Sequence, residues 1–224
     1  MRLVSVRGHH IWPAPLTQDS VVVDAGAHRG EFSAEIIRRF GCQCHLVEAN
    51  PSLVETLMVP RAESITTAAL GGRDGRGVLH VSENPEATGL FEAGPATTRV
   101  EVETISLATL MRRLGITGID LLKLDIEGAE FDLIAATPNQ ILQRINQITV
   151  EFHDFKPAFR GRELFEKARA RLESMGFDCC NLAFRTHGDV LFLNRAQLPL
   201  VTAQRIYFQF CARWIEKMNQ LRGK

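Results

Sequence analysis

The sequence lacks an excess of charge of either sign, because 26 lysine and arginine side chains balance 26 aspartate and glutamate side chains. A neutral chain has no overall positive field with which to attract nucleic-acid backbones or anionic membranes. It also lacks any apolar run near the roughly 18 residues that a spanning helix needs. Arginines at positions 2 and 7 interrupt the start, unlike a signal peptide. We therefore expect a cytoplasmic protein with small partners, and neither nucleic acid nor membrane among them.

The five cysteines lack the spacing of a disulfide framework or of a zinc site. Their number is odd, no C-x-x-C pair occurs, and no histidine is spaced to complete a metal site. We predict that they are reduced and mostly buried as small apolar residues. The sequence therefore predicts no structural metal.

Internal repeats, low-complexity tracts and linkers are also lacking, and 224 residues suit one well-buried α/β domain. We predict a single domain over residues 1–224, with an N-terminal segment (1–19), a core (20–200) and an amphipathic C-terminal helix (201–224). The apolar face of that helix is expected to pack on the sheet or on a second subunit, which leaves a homodimer open.

Short apolar runs alternate with helical patterns, as in βαβ units around a mostly parallel sheet with helices on both faces. The pattern predicts seven strands, the last two antiparallel because residues 185–188 connect them closely. The predicted strands begin at Val21, Cys44, Ile65, Ile119, Ile145, Phe177 and Val190. Between Val78 and Ile105 the period of two predicts an inserted β-hairpin with its tip at 84–89.

The turn after the first strand, residues 24–30, is the most informative segment. Small residues let the backbone pass close to a ligand, and amides at a helix start offer donors. The dinucleotide fingerprint requires glycine where this chain has Asp24, whose charge would repel a pyrophosphate. S-adenosylmethionine carries an ammonium and a sulfonium but no phosphate, so a carboxylate suits it better. The predicted cofactor residues of this turn are Asp24, Gly26, Ala27, His28 and Gly30.

Glu48 ends the second strand on the same edge of the sheet. A carboxylate there can accept hydrogen bonds from both ribose hydroxyls of an adenosine, with Ala49 and Asn50 beside the adenine. Dinucleotide enzymes share this feature, so Glu48 alone indicates only an adenosine ligand. The structural alternatives are a helix cap for Asp24 and a solvated strand end for Glu48.

The acids after the fourth strand and a histidine after the fifth suggest catalytic residues. Strand-end carboxylates beside a topological switch point face the ligand crevice, so we predict Asp125 and Glu127 there, whereas Glu130 is equally consistent with a helix-start residue. Alternation along the strand places Glu151 and His153 on one face. We predict His153 as the general base, oriented by Asp125 or Glu127.

A metal-dependent variant stays open at the same place. Asp125 and Glu127, with His153 or Asp154, offer the hard ligands that a magnesium-like ion prefers. Such an ion would lower the pKa of an acceptor hydroxyl.

Four segments together resemble the FkbM-type methyltransferase family over about residues 20 to 155. They are residues 22–30, 47–51, 69–70 before a glycine-rich turn, and 120–130. The resemblance implies the class I methyltransferase fold, a Rossmann-like seven-stranded sheet, and S-adenosylmethionine as cofactor. It also implies O-methylation of a hydroxyl on a sugar, polyketide or similar metabolite or glycan. The alternatives are an NAD(P)-dependent oxidoreductase on the same kind of sheet and a methyltransferase-like binding module without catalysis.

Overall fold

The computed structural model describes residues 2–82, 97–154, 162–183, 186–198 and 200–208. The strands in chain order are β1 (Val4–Val6), β2 (His9–Ile11), β3 (Val21–Ala25), β4 (Gln43–Glu48), β5 (Ser64–Thr67), β6 (Ala69–Gly71), β7 (Gly75–Ser82), β8 (Thr97–Ser106), β9 (Ile119–Leu124), β10 (Ile145–Val150), β11 (Phe177–Asn181) and β12 (Val190–Asn194). The helices are α1 (Glu31–Phe40), α2 (Pro51–Val54), α3 (Leu107–Leu114), α4 (Glu130–Ala136), α5 (Asn139–Leu142), α6 (Arg162–Ser174) and α7 (Thr202–Ile206).

Seven strands form the main sheet in the order β11-β12-β10-β9-β3-β4-β5. The neighbours from β10 to β5 are parallel, whereas β12 runs antiparallel to both β10 and β11. The prediction of a seven-stranded, mostly parallel sheet with an antiparallel final pair is therefore confirmed, and the sheet is mixed. After β3 the chain moves outward through β4 and β5 and then returns to β9 on the other side of β3. This reversal of direction creates a crevice at the carboxyl ends of β3 and β9.

Apolar helix faces cover both sides of the main sheet. On one side α1 packs Phe32, Ile36 and Ile37 against strand residues such as Val22 and Leu46. On the other side α3, α4 and α6 contribute leucine and phenylalanine side chains to a larger core. Burial on both faces explains why the strands are apolar runs without alternation.

The predicted strand from Ile65 to Leu70 is wrong as a single element. It divides at Ala68 into β5, at the edge of the main sheet, and β6, which pairs with β8 in a separate three-stranded sheet. The Ala68 amide donates the last hydrogen bond to the Glu48 carbonyl before the chain leaves the main sheet. An apolar run does not show that its residues face two different sheets.

The predicted inserted hairpin is confirmed as β7 and β8, which pair antiparallel from Gly75 to Ser82. Its predicted tip at 84–89 lies outside the described residues. Ser106 caps α3 through its side chain and Gly115 ends the helix in the left-handed region, at φ 68°. Both residues therefore act as the sequence predicts.

The N-terminal segment forms a small antiparallel hairpin, β1 and β2, that packs against the main sheet. Leu3 and Trp12 share an apolar cluster with Leu198 and Phe208 from the far end of the described chain. Most of the predicted C-terminal helix, from residue 209 onward, lies outside the described residues, and α7 covers only its start.

The four described cysteines are free thiols, and three of them are buried, as predicted. Burial raises the pKa of the Cys42 thiol to about 11, so it stays protonated at neutral pH. In the part of the chain that the structure describes, helices fall short of the length and apolarity needed to cross a membrane.

Candidate active site

The carboxyl ends of four neighbouring strands meet at one edge of the main sheet. β3 leads into the turn at residues 24–30, β4 ends at Glu48, β9 leads to Asp125, and β10 is followed by Glu151 and His153. The sheet order β10-β9-β3-β4 therefore brings every predicted site segment to one crevice.

Asp24 is fully buried, and its charge is paired inside the protein. Its Oδ2 accepts a hydrogen bond of 2.7 Å from the Ser33 hydroxyl, and its Oδ1 lies 3.2 Å from Nζ of Lys123. Lys123 also donates to the Gly26 carbonyl at 2.7 Å. Asp24 therefore has its charge partner inside the protein, as a buried charge requires, and its role toward a cofactor stays a prediction. Asp24 shapes the turn from within.

The glycines of the turn are explained by internal packing. Gly26 has φ 76°, and a Cβ there would lie 1.8 Å from the Asp125 carbonyl oxygen. Gly30 has φ 74°, and its Cβ would lie 2.2 Å from a Val59 methyl group. The turn amides are also occupied, because Gly26 and Ala27 donate to the Val47 carbonyl. The amides of Gly26 and Ala27 are therefore not free donors, whereas the predicted donors at the helix start, which the structure places at Glu31, stay a prediction.

Glu48 fastens the turn to the end of β4. Its Oε2 accepts from the His28 amide and its Oε1 from the Asn50 amide, each at 2.8 Å. A carboxylate has about four lone-pair positions, so each oxygen can accept one further hydrogen bond. Asn50 itself caps α2 by accepting from the Ser52 amide, which accounts for its position without a ligand. Ala49 is half-buried beside the β7–β8 hairpin.

His153 lies among three acids, of which Glu130 is fully buried and Asp125 and Glu127 are partly exposed. Its Nδ1 is 3.0 Å from Oε1 of Glu130, which also accepts from the Ile126 amide. Its Nε2 faces Oε2 of Glu127 at 3.3 Å and Oδ1 of Asp125 at 3.8 Å. The structure thus brings the three predicted catalytic residues together. Glu127 adopts φ 58°, a left-handed conformation that is uncommon outside glycine and that recurs at functional sites.

The charges of this group shift the pKa of its members in opposite directions. Burial lowers the pKa of His153, but the hydrogen bond to Glu130 and the charges of Glu127 and Asp125 outweigh it and raise the pKa overall. Burial raises the pKa of Asp125, but Lys123 and the neighbouring imidazoles outweigh it and hold the pKa well below its usual range. Burial and the charge of Asp125 raise the pKa of Glu151. The raised pKa makes the neutral imidazole of His153 a stronger proton acceptor.

Sequence reasoning missed four residues of this crevice as members of the site. Glu130 is fully buried against His153, and Lys123 pairs with Asp24 and Asp125. His9 lies 3.7 Å from Asp125 through Nε2 and Oδ2, and Glu151 groups with both. A lysine in an otherwise apolar strand was a readable signal for Lys123, because a buried ammonium requires acids nearby. His9 offers no such signal.

Asp154 points away from this group. It bonds His187, whose ring stacks on Phe165 with centroids 3.6 Å apart. Of the two alternatives for a third metal ligand beside Asp125 and Glu127, His153 is the one whose ligand atom lies close to theirs.

The fold defines an α/β protein with a crevice at the switch point of its sheet. The family model described as "Methyltransferase FkbM domain" matches residues 24–179, more than half of the chain. The chain belongs to this family, as the sequence resemblance predicts. No curated protein sequence matches the chain.

Two solved structures are similar to the chain at low identity. The precorrin-6y C5,15-methyltransferase of Geobacter metallireducens GS-15 is 13% identical with a TM-score of 0.39, and the match covers 73% of this chain and 65% of that chain. The fibrillarin pre-rRNA processing protein of Methanococcus jannaschii is 14% identical with a TM-score of 0.42, and the match covers 81% of this chain and 67% of that chain. The chain thus spans just under two thirds of the first of these proteins.

Proposed function

We propose that the protein is an S-adenosylmethionine-dependent O-methyltransferase of the class I fold that acts on a hydroxyl group of a small metabolite or glycan. The observation that carries the proposal is the position of His153. Its ring is held by Glu130 and presents Nε2 to the crevice at the carboxyl ends of β3 and β9. Membership of a methyltransferase family supports this function over the oxidoreductase and the non-catalytic module.

The cofactor side of the crevice fits an adenosine ligand. Glu48 retains lone pairs for ribose hydroxyls after it has accepted the His28 and Asn50 amides. Nε2 of His28 is buried and has no hydrogen-bond partner among the described residues, so a polar ligand atom could satisfy it. Ala27 and Ala49 present small side chains. When bound, S-adenosylmethionine supplies an electrophilic methyl group.

The acceptor side offers a group that can remove a proton. As the acceptor oxygen becomes nucleophilic, its proton passes to Nε2 of His153, and Glu130 holds Nδ1 so that the ring keeps its orientation. The charges of Glu127 and Asp125 stabilise the imidazolium that forms. The ion pair of Lys123 with Asp24, together with the hydrogen bond from Lys123 to the Gly26 carbonyl, holds the turn at residues 24–30 in place.

Calorimetric titration tests the cofactor assignment directly. The full chain is titrated with S-adenosylmethionine, S-adenosylhomocysteine and NADH, together with the variants Glu48→Gln and Glu101→Gln. We expect the two adenosyl ligands to bind the wild type and to bind Glu48→Gln about tenfold or more weakly, because hydrogen bonds to a charged group are lost or weakened. Glu101 is exposed on β8 with only a surface partner, Arg76, so its variant is the control and should match the wild type.

The outcomes separate the three functions. Binding of NADH without the adenosyl ligands would overturn the proposal in favour of an oxidoreductase. Absence of binding by all three ligands would favour the non-catalytic module. An equal loss of affinity in both glutamate variants would remove Glu48 from the site.

A further inference from the structure

The N-terminal hairpin brings a second set of metal-binding side chains into the crevice. We propose that His9, Asp125 and Glu151 bind a divalent transition-metal ion. One ligand atom from each residue lies within 4.8 Å of the other two. Ligands at about 2.0–2.2 Å from a common ion are separated by about 3–4 Å, so only small side-chain movements would complete this geometry.

His9 is a buried imidazole whose contact with Asp125 is long. Only 3% of its side chain is exposed, and its Nδ1 has no partner among the described residues. Its Nε2 stands 3.7 Å from Oδ2 of Asp125, which is longer than a hydrogen bond. Burying unpaired polar atoms costs stability. A metal ion between Nε2 and the Asp125 carboxylate would replace this long contact with a bond to each group.

The crevice contains more negative than positive side chains. Asp125, Glu127, Glu130 and Glu151 converge near His153 and His9. The nearest permanent cation, Lys123, is shared with Asp24 and lies 3.2 Å from it, compared with 3.5 Å from Asp125. Glu130 is fully buried and the other three acids are partly buried, and carboxylates withdrawn from water are stabilised by paired cations or metals. A divalent ion would balance the negative charges of Asp125 and Glu151, the two acids grouped with His9.

The hairpin holds His9 rigidly over the crevice. The neighbouring His10 contacts Asp189 twice, through its amide at 3.1 Å and through Nδ1 at 2.5 Å. The backbone of Trp12 exchanges two hydrogen bonds with the side chain of Gln147 in β10. The His9 ring also packs edge-on against Phe32 with centroids 5.7 Å apart. Such fixed placement is what a metal ligand requires, because its rotamer must be held before the ion binds.

The ligand types select the class of metal. One imidazole with two carboxylates is a mixed nitrogen and oxygen set, whereas magnesium and calcium prefer all-oxygen sets. The mixed set therefore favours iron, cobalt or zinc. Three protein ligands leave positions open for water or an acceptor oxygen. Such an ion would lower the pKa of an acceptor hydroxyl beside His153. This catalytic role rests on the proposed function, whereas metal binding does not.

The site belongs to this chain and is not implied by its family. Position 9 lies outside residues 24–179, which the family model matches. The ligands come from β2, from the end of β9 and from the end of β10. A family motif therefore could not specify the complete set.

Cobalt titration tests the proposal without any methyl transfer. Chelator-treated full-length protein is titrated with Co²⁺, and the visible absorption of the bound ion reports its coordination and affinity. We expect a single equivalent to bind, and His9→Gln and Glu151→Gln to weaken binding by at least about tenfold, the loss typical of removing even an outer partner of a metal ligand. His45→Gln is the matched control, because His45 is another largely buried strand histidine and, among the described residues, hydrogen-bonds Ser64 and lies outside both groups of candidate metal ligands.

Each result of the cobalt titration either supports or overturns the proposed metal site. Wild-type affinity in both His9→Gln and Glu151→Gln, or absence of a stoichiometric cobalt spectrum in the wild type, would overturn the proposal. Loss confined to His153→Gln would also overturn it, because it would place the ion on Asp125, Glu127 and His153 instead. Glu151 is only partly buried and lies on a different element, so its variant decides the test if His9→Gln does not fold. Adenosyl-ligand binding, measured separately, distinguishes failure here from failure of the proposed function.

Discussion

Gly26 lies directly against the backbone of Asp125, so close that a Cβ on Gly26 would be 1.8 Å from the Asp125 carbonyl oxygen. The contact joins the turn after β3 to the end of β9, and the Asp125 amide donates to the Ala25 carbonyl at 3.1 Å beside it. The turn after β3 and the acids after β9 therefore form one rigid unit, in which a change on one side displaces the other.

Gly26→Ala should lower the free energy of unfolding far more than Gly115→Ala. Both glycines have left-handed backbones, at φ 76° and 68°, but an added Cβ at Gly115 meets nothing within 4 Å. The strained backbone costs about 1–3 kcal/mol in each variant. Overpacking against Asp125 should add about 1–3 kcal/mol for Gly26. Urea unfolding measures the difference, and equal losses would show that the crevice relaxes freely at Gly26.

Lys123→Gln should destabilise the fold by about 3–5 kcal/mol, because removing one partner of a buried ion pair leaves the other charge uncompensated. The charge left behind is Asp24, whose side chain has no exposed surface. Lys167→Gln is the control, since Lys167 pairs with Glu163 on the exposed face of α6 and should cost little. Chemical denaturation followed by circular dichroism compares them. A Lys123 variant as stable as the Lys167 variant would contradict the ion pair.

His153→Gln should lower kcat by about a hundredfold or more and leave the affinity for S-adenosylmethionine unchanged, because general-base catalysis contributes about 10²–10⁴-fold to rate. Glu130→Gln keeps an acceptor for Nδ1 of His153, so it should retain more activity than Glu130→Ala. Steady-state kinetics with an identified acceptor, and calorimetry for the cofactor, measure the two effects. If Glu130→Gln and Glu130→Ala lost equal activity, hydrogen bonding by Glu130 would not position His153.

His45 should make the fold sensitive to acid. Burial lowers the pKa of His45 below its usual 6.5 because it disfavours the charged ring. As the pH falls below about 6.5, the unfolded chain takes up a proton that the folded chain does not. Stability is therefore lost from about pH 6.5 down to the lowered pKa of the folded state. The melting temperature of His45→Gln should fall less between pH 7 and pH 5 than that of the wild type. Parallel curves would assign the acid sensitivity to other groups.

The elements that could be predicted are those whose pattern is local. β3, α1 and α3 follow from apolar runs, helical stripes and the caps Ser106, Gly41 and Gly115, and the structure places them within a few residues of the predicted bounds. The break at Ala68 could not be predicted, because it depends on which of two sheets each residue pairs with. Pairing partners are set by distant parts of the chain.

The residues of the candidate site divide in the same way, into those that a local pattern predicts and those that depend on distant parts of the chain. Strand ends can be read from the sequence, so Asp125, Glu127 and His153 could be placed at one edge once their strands were taken as neighbours. The partner of Asp24 could not be known until β9 was seen beside β3, with Lys123 opposite Asp24 in the register. The place of His9 depends on the N-terminal hairpin packing against β10 and β12, which are distant in sequence. The cofactor and catalytic roles of these residues stay predictions.

The edge-on contact between Trp12 and Phe208, with ring centroids 5.6 Å apart, has a consequence for biosynthesis. Residues near the two ends of the described chain complete one apolar cluster, so the hairpin that carries His9 lacks part of its packing until residue 208 has left the ribosome. Contacts between such distant positions form late and slow folding. During translation the crevice should therefore stay open on the His9 side while its β3 and β9 walls are already in place.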